Sequence, residues 1–319
     1  MVPPISLYET TALTMAASMS SSSSSENIIS GSSSGADLWV LLHELAHVYG
    51  GQGQGLSRAL VMSLAHQWKN RPDLLYEAQR HWYSSGRRPE LRPMSNTDDD
   101  SHNAQNSVSV SCLNVLLCAH ALRGDLGRVK ELWDEFDRNQ WRPDLDSYSF
   151  ALDGLTRHVL YSNSKNPKRR KRQGRRSVHD DDDDDYTRFG HVLQLAESYL
   201  TQLESHDLEP NVYVIRSYVE LLCATNQVDV AVDVLRECPP ADAKAVYRVV
   251  QTLCKNCAAN PNLDHQVVEA KNYYETAQEL ARLLPQVPPR LEQALANFQQ
   301  DQQQQQQETL GAANAGSSQ

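Results

Sequence analysis

The chain has 319 residues, 40% of them apolar and 22% charged, with 40 acidic against 30 basic side chains and a formal net charge of −10 at pH 7. This is enough for one elongated domain of about 250 residues plus polar tails, and no apolar run approaches the roughly 18–20 residues a membrane span needs. The six cysteines fall mostly inside helical patterns and read as reduced core thiols of an intracellular protein rather than a disulfide framework.

Residues 1–36 are Ser-rich and predict a disordered tail. They lack the positive start of a secretory signal and the arginines of a mitochondrial transit peptide. A lone helix over 37–49 follows, placed as an N-terminal half-unit or cap. Helices over 56–68 and 73–85 make the first hairpin, in a unit at 56–90. The polar stretch 92–109 has no apolar period and reads as a disordered insertion.

The best-formed unit is 110–144. Leu113, Leu116, Leu117 and Ala121 in its first half, and Leu126, Val129, Leu132, Trp133 and Phe136 in its second, fall at i, i+3, i+4, i+7 spacing around a Gly124-Asp125 turn. Each half is therefore predicted as an amphipathic helix, and the pair as a helical hairpin. The next unit, 145–211, has helices over 147–161 and 190–205, split by a second disordered insertion at 162–188. Units at 212–243 (helices 212–225 and 228–237) and 244–285 (helices 245–258 and 267–284) complete the array, and a disordered Gln-rich tail occupies 299–319.

A hairpin this small cannot bury its apolar face alone, so the pattern implies stacking. Closing punctuation recurs as Arg88-Pro89-Glu90, Arg142-Pro143-Asp144 and Glu209-Pro210-Asn211. Pro89 and Pro143 are 54 residues apart and Pro143 and Pro210 are 67 apart, excesses of 19 and 32 over a 35-residue unit that the two insertions absorb. With no credible strand run, the fold predicted for 37–298 is an all-α, right-handed α-solenoid of helix-turn-helix repeats.

Asn114-Val-Leu-Leu, the Gly124-Asp125 turn, Val129-Lys-Glu-Leu-Trp-Asp-Glu-Phe and the closing Arg-Pro-Asp resemble a pentatricopeptide repeat, degenerate and interrupted by insertions. Tetratricopeptide repeats are one residue shorter, and their W-x₂-L-G-x₂-Y signature is absent here. The resemblance implies a non-catalytic protein that binds single-stranded RNA at about one base per repeat, without a cofactor and in a mitochondrion or plastid. It also implies that the fifth and last residues of a unit read the base: Asn114 with Asp144 for uridine, and Ser149 with Asn211 for adenine. Arg216 occupies the next fifth position, Tyr247 or Arg248 the one after, and Arg58 the earliest, so the pattern weakens away from 110–144.

The charge balance limits RNA affinity. Residues 191–299 hold 14 acidic and 8 basic side chains, and 36–164 hold 16 and 13, whereas phosphate binding is driven by Lys and Arg. RNA affinity is thus expected to be modest, or completed by a protein partner, and a scaffold for basic peptides is the alternative reading. The run Lys168, Arg169, Arg170, Lys171 and Arg172 is the candidate for RNA-backbone contact or nuclear import, with the six aspartates at 180–185 close enough to neutralise it.

His43, Glu44 and His47 fit H-E-x-x-H, a zinc peptidase motif, but its metzincin-type third ligand position is Gly53 and no partner motif is present. Cys254 and Cys257 form a single C-x₂-C, one ligand pair short of a zinc site. Among Trp82, Trp133 and Trp141, the first two sit at inward helix positions, leaving Trp141 as the open candidate for base stacking.

Overall fold

A computed structural model describes residues 56–71, 75, 77, 80, 100–164, 182–238, 242–259 and 263–316. The tail at 1–36, the helix at 37–49 with His43, Glu44 and His47, Trp82, and the basic run 168–172 lie outside the described residues. Within them are ten helices and no strand: α1 (Arg58–Lys69), α2 (Asp100–Arg123), α3 (Leu126–Asn139), α4 (Leu145–Ser164), α5 (Asp182–Ser205), α6 (Val212–Ala224), α7 (Val228–Glu237), α8 (Ala243–Ala259), α9 (Leu263–Arg282) and α10 (Pro289–Gly316). The fold class is the expected one, an all-α stack of helical hairpins.

The chain divides into two compact units. One comprises Met1–Gly174 with Leu195–Leu208, the other Arg175–Gln194 with Glu209–Gln319. In the first, α2 packs against α1 on one side and α4 on the other, while α3 covers both α2 and α4. As a result every residue from 110 to 122 is buried. The expected one-sided apolar stripe on this helix is thus replaced by burial all round, because three neighbours surround it. Leu113, Leu116 and Leu117 are fully enclosed, each contributing on the order of 1.5–3 kcal/mol. The helices approach closely at Gly154 in α4, where a Cβ would sit 3.0 Å from Val129 Cγ2 and 3.3 Å from Ala121 Cβ.

In the second unit α6 packs on both α7 and α8, α8 on α9 and α10, and α7 on α9. First helices (α6, α8) and second helices (α7, α9) therefore form two layers, with α10 added beside α8 and α9. Val219, Leu222, Val249, Leu253, Leu280 and Leu291 lie in the common core.

Three stretches expected to be structureless are helical. Residues 100–109 extend α2 by almost three turns, 182–188 begin α5, and 299–316 continue α10. The physical reason is shared: adding a residue to an existing helix is far easier than starting one, none of the first two stretches' ends contains a proline, and the Gln- and Ala-rich third consists of good helix formers. The start of α10 was itself legible: Leu291, Ala294, Leu295 and Phe298 follow a Pro288-Pro289 start at i, i+3, i+4, i+7, and Leu291 and Phe298 are buried.

Four helices end in one and the same way. Gly124, Gln140, Asp207 and Asn226 all have positive φ, at 66°, 54°, 57° and 62°. At Gly124 its N–H bonds the Ala121 carbonyl (2.9 Å) and the Asp125 N–H bonds the His120 carbonyl (3.2 Å), a Schellman stop. A Cβ at Gly124 would lie 2.5 Å from the Tyr161 ring. Gly124→Ala combines left-handed strain with that overlap and is expected to lower unfolding free energy by at least about 1 kcal/mol; an unchanged denaturation midpoint would contradict the assignment.

His120, on the last turn of α2, is buried with no hydrogen-bond partner on either ring nitrogen. Burial pulls its pKa down to about 4, only partly offset by the Asp125 carboxylate 3.6 Å away. Below the ordinary histidine value the unfolded chain takes up a proton that the folded one refuses. Stability is therefore lost between pH 6.5 and 4, at up to about 1.4 kcal/mol per pH unit. His120→Leu should flatten this window relative to the parent in paired denaturation curves, whereas parallel curves would remove His120 as the cause.

Candidate functional site

Residue 144 follows Pro143 and precedes the helical run 145–164, the position at which an acidic side chain caps a helix. Asp144 Oδ1 accepts the Ser147 N–H (2.8 Å), and the Ser147 hydroxyl oxygen accepts the Asp144 N–H (3.2 Å), a reciprocal capping box. From the neighbouring α2, Asn114 donates its side-chain amide to both Asp144 oxygens, at 3.0 and 3.2 Å. The Ser147 hydroxyl lies 2.7 Å from Asn114 Oδ1 and 2.9 Å from Asp144 Oδ1, and its single proton serves one of them at a time. Asn114 and Ser147 are buried and Asp144 is exposed. The two residues of the expected uridine pair are thus brought together, in a network whose exposed edge is a carboxylate.

Next to this network lies a second polar group. Arg58, at the start of α1, reaches Asp146 (2.5 Å) and the Ser149 hydroxyl (2.8 Å), with its guanidinium 4.6 Å from the centre of the Phe150 ring. Burial raises the Asp146 carboxyl above the usual range, and the Arg58 hydrogen bond opposes that shift. Ser149 is completely buried, so the residue expected to face adenine faces an arginine instead. Its expected partner, Asn211, belongs to the other compact unit, where it caps α6 by accepting the Tyr213 and Val214 N–H groups, both at 3.0 Å.

The second unit repeats the clasp with different residues. Arg216 on α6 pairs with Asp242 at 3.7 Å, and Asp242 Oδ2 accepts the Ala245 N–H at 3.3 Å at the start of α8. Arg216 also sits 5.1 Å over the Tyr213 ring. In both units a fifth-position side chain on one first helix grips the acidic cap of the next first helix. Sequence reasoning missed Arg58's partners and Asp242; for Asp242 the available signal was an acid immediately before the helical run at 243.

Of the tryptophans, Trp133 is core as expected, donating its Nε1–H to Gln202 (3.1 Å) and lying 4.3 Å from the Tyr199 ring. Trp141 is half-buried in an open cleft of about 540 Å³ shared with Asp137, Arg142, His206 and Asp207. Two acids against one arginine, at the carbonyl ends of α3 and α5, make this cleft unfavourable for a phosphate. Cys254 lies half-buried on α8. Among the described residues no group of three His, Cys, Asp or Glu side chains could hold a metal ion, and no helix is long and apolar enough to cross a membrane.

No family model matches the chain, and no curated protein matches it. Among solved structures it is similar to the crystal structure of the pentatricopeptide repeat protein PPR10 in complex with an 18-nt psaJ RNA element, at 16% identity over 92% of this chain, with a TM-score of 0.27. A triple cysteine-to-serine variant of that complex matches with the same values. The chain spans 38% of the length of these structures. The fold class rests on the helices of the chain itself.

Removing the Asp144 carboxylate takes away a helix cap and leaves a buried amide without its partner. Asp144→Ala should therefore destabilise by about 1–3 kcal/mol in chemical denaturation, and Asp144→Asn, which can still cap, by clearly less. Equal losses for the two variants would remove the clasp as the cause.

Proposed function

We propose that this chain is a non-catalytic helical-repeat protein that binds single-stranded RNA with modest affinity, Asn114 and Asp144 meeting one base. The observation that carries the reading is the pairing of these two side chains at 3.0 Å. They are the fifth and last residues of the 35-residue unit, the positions the resemblance implies for base reading, and they meet at an edge where Asp144 is exposed. A uracil edge entering there exchanges one of the two amide–carboxylate bonds for its own donor and acceptor groups. The run 168–172 supplies backbone contacts that the acidic repeats do not. Action on organellar transcripts, in processing, stability or translation, completes the proposal and rests on the sequence resemblance.

A second reading, a scaffold for basic peptides, is favoured by one observation: Arg58 and Arg216, each on the first helix of a hairpin, are engaged by Asp146 and Asp242. Cations held this way contribute little to phosphate binding.

Fluorescence anisotropy with short uridine-rich and adenine-rich RNAs, at low and physiological salt, separates the two. The RNA reading expects uridine-rich RNA to bind tighter, with affinity falling as salt rises. Asn114→Ala should weaken it by about threefold to tenfold, the equivalent of one hydrogen bond, with a thermal melt to score folding alongside. No binding of either RNA at low salt would leave the scaffold reading.

A further inference from the structure

We infer that Arg58 sets the specificity of the reading face by standing in for a base at Ser149, so that the chain reads one base where its spacing provides for two. The inference rests on the RNA reading above. Arg58, at the start of α1, donates to the Ser149 hydroxyl at 2.8 Å and to Asp146 at 2.5 Å. Its guanidinium lies 4.6 Å from the centre of the Phe150 ring. All three partners are on α4, and α1 and α4 each pack on α2. Arg58 thus reaches past the intervening first helix, to residues 88–92 positions further along the chain.

The order of burial shows which group covers which. Ser149 has no exposed surface, whereas the side chains of Arg58 and Asp146 keep 17% and 24% of theirs. The hydroxyl is therefore the inner member and the ion pair the outer one. At the neighbouring Asn114–Asp144 pair the outer member is an exposed carboxylate instead. One position is open at its edge, and the other is capped by an arginine.

A guanidinium in this place has much of the chemistry of an adenine. It is planar and delocalised, carries N–H donors along its edge and stacks on aromatic faces. An adenine likewise offers its N6 amine as an edge donor, and a flat face for stacking. Both would give an N–H to Ser149 and lie against Phe150, and there is one hydroxyl and one ring to share. A base entering here has to displace Arg58 from Asp146 and Ser149 together. A position filled from within lowers the apparent affinity of its ligand by the fraction of time it stands open. Removing the arginine opens it permanently. That expectation runs against simple electrostatics, since losing a cation weakens phosphate binding. A merely structural role for Arg58 predicts lower stability and no gain in binding.

The test uses the full chain in two measurements. Fluorescence anisotropy compares RNAs carrying one adenine among uridines with all-uridine RNAs. Arg58→Ala is expected to bind the adenine-containing RNA about fivefold or more tighter than the parent does, with a smaller change for all-uridine RNA. Arg58→Lys keeps the charge, loses the planar fork and protects the fold, and should show a smaller gain in the same direction. Arg236→Ala, which removes an arginine from the second unit, should give no gain. The second measurement needs no RNA. In Ser149→Cys, labelling of position 149 by a small thiol reagent, followed by peptide mass spectrometry, should run about tenfold or more faster once Arg58→Ala is added. Labelling that stays slow would overturn the inference, because Arg58 would not be what covers the site. Uridine-rich RNA binding with no gain in either Arg58 variant would also overturn it and leave the RNA reading standing. No RNA binding by any variant would overturn that reading and this inference with it.

Discussion

The first unit depends on the complete burial of one helical stretch, residues 110–122 of α2, between α1, α3 and α4. A two-helix hairpin cannot enclose its own apolar face, so each hairpin is stable only as part of a stack. Here the central helix loses every exposed side to its neighbours. The consequence is chemical as well as mechanical, because the buried stretch includes Ser111, Asn114 and His120. Each buried polar group must be satisfied or must weaken the fold.

The three polar residues are handled differently, and the differences organise the unit. Ser111 accepts the Leu56 N–H at 3.0 Å and so ties the entry of α1 to α2. Asn114 is satisfied by the cap of α4, which couples the pairing of helices to the start of the next repeat. His120 finds no hydrogen-bond partner and stays neutral. A helix cap that must be gripped from the preceding helix sets the register between repeats more strictly than apolar contact does. Asp242 with Arg216 shows the same device built from another pair of side chains.

Electrostatics decides where on such a fold a nucleic acid can be met. The arginines on first helices α1 and α6 are matched by acids, and the Trp141 cleft is lined by Asp137 and Asp207. With a net charge of −10 the chain's electrostatics favour no broad basic surface, and its polar chemistry is set locally by a few positions.

The helical class, most helix positions and the stops between them were legible in the sequence, because 3.6-residue periodicity and Gly, Pro and Asx punctuation act through neighbouring residues. The pairing of residues 114 and 144 came from the resemblance to pentatricopeptide repeats and not from that local pattern. Polar composition at 100–109, 182–188 and 299–316 was read as disorder, whereas these stretches are helical, since helix growth from a formed nucleus carries through polar residues. Local pattern also could not show that Ser149 would be sealed under Arg58, 91 residues away in the chain. By itself the sequence determined which segments are helices and which polar side chains lie near their starts. Only tertiary packing decided which of those side chains remain exposed, since burial and ion pairing depend on distant partners that no local pattern encodes.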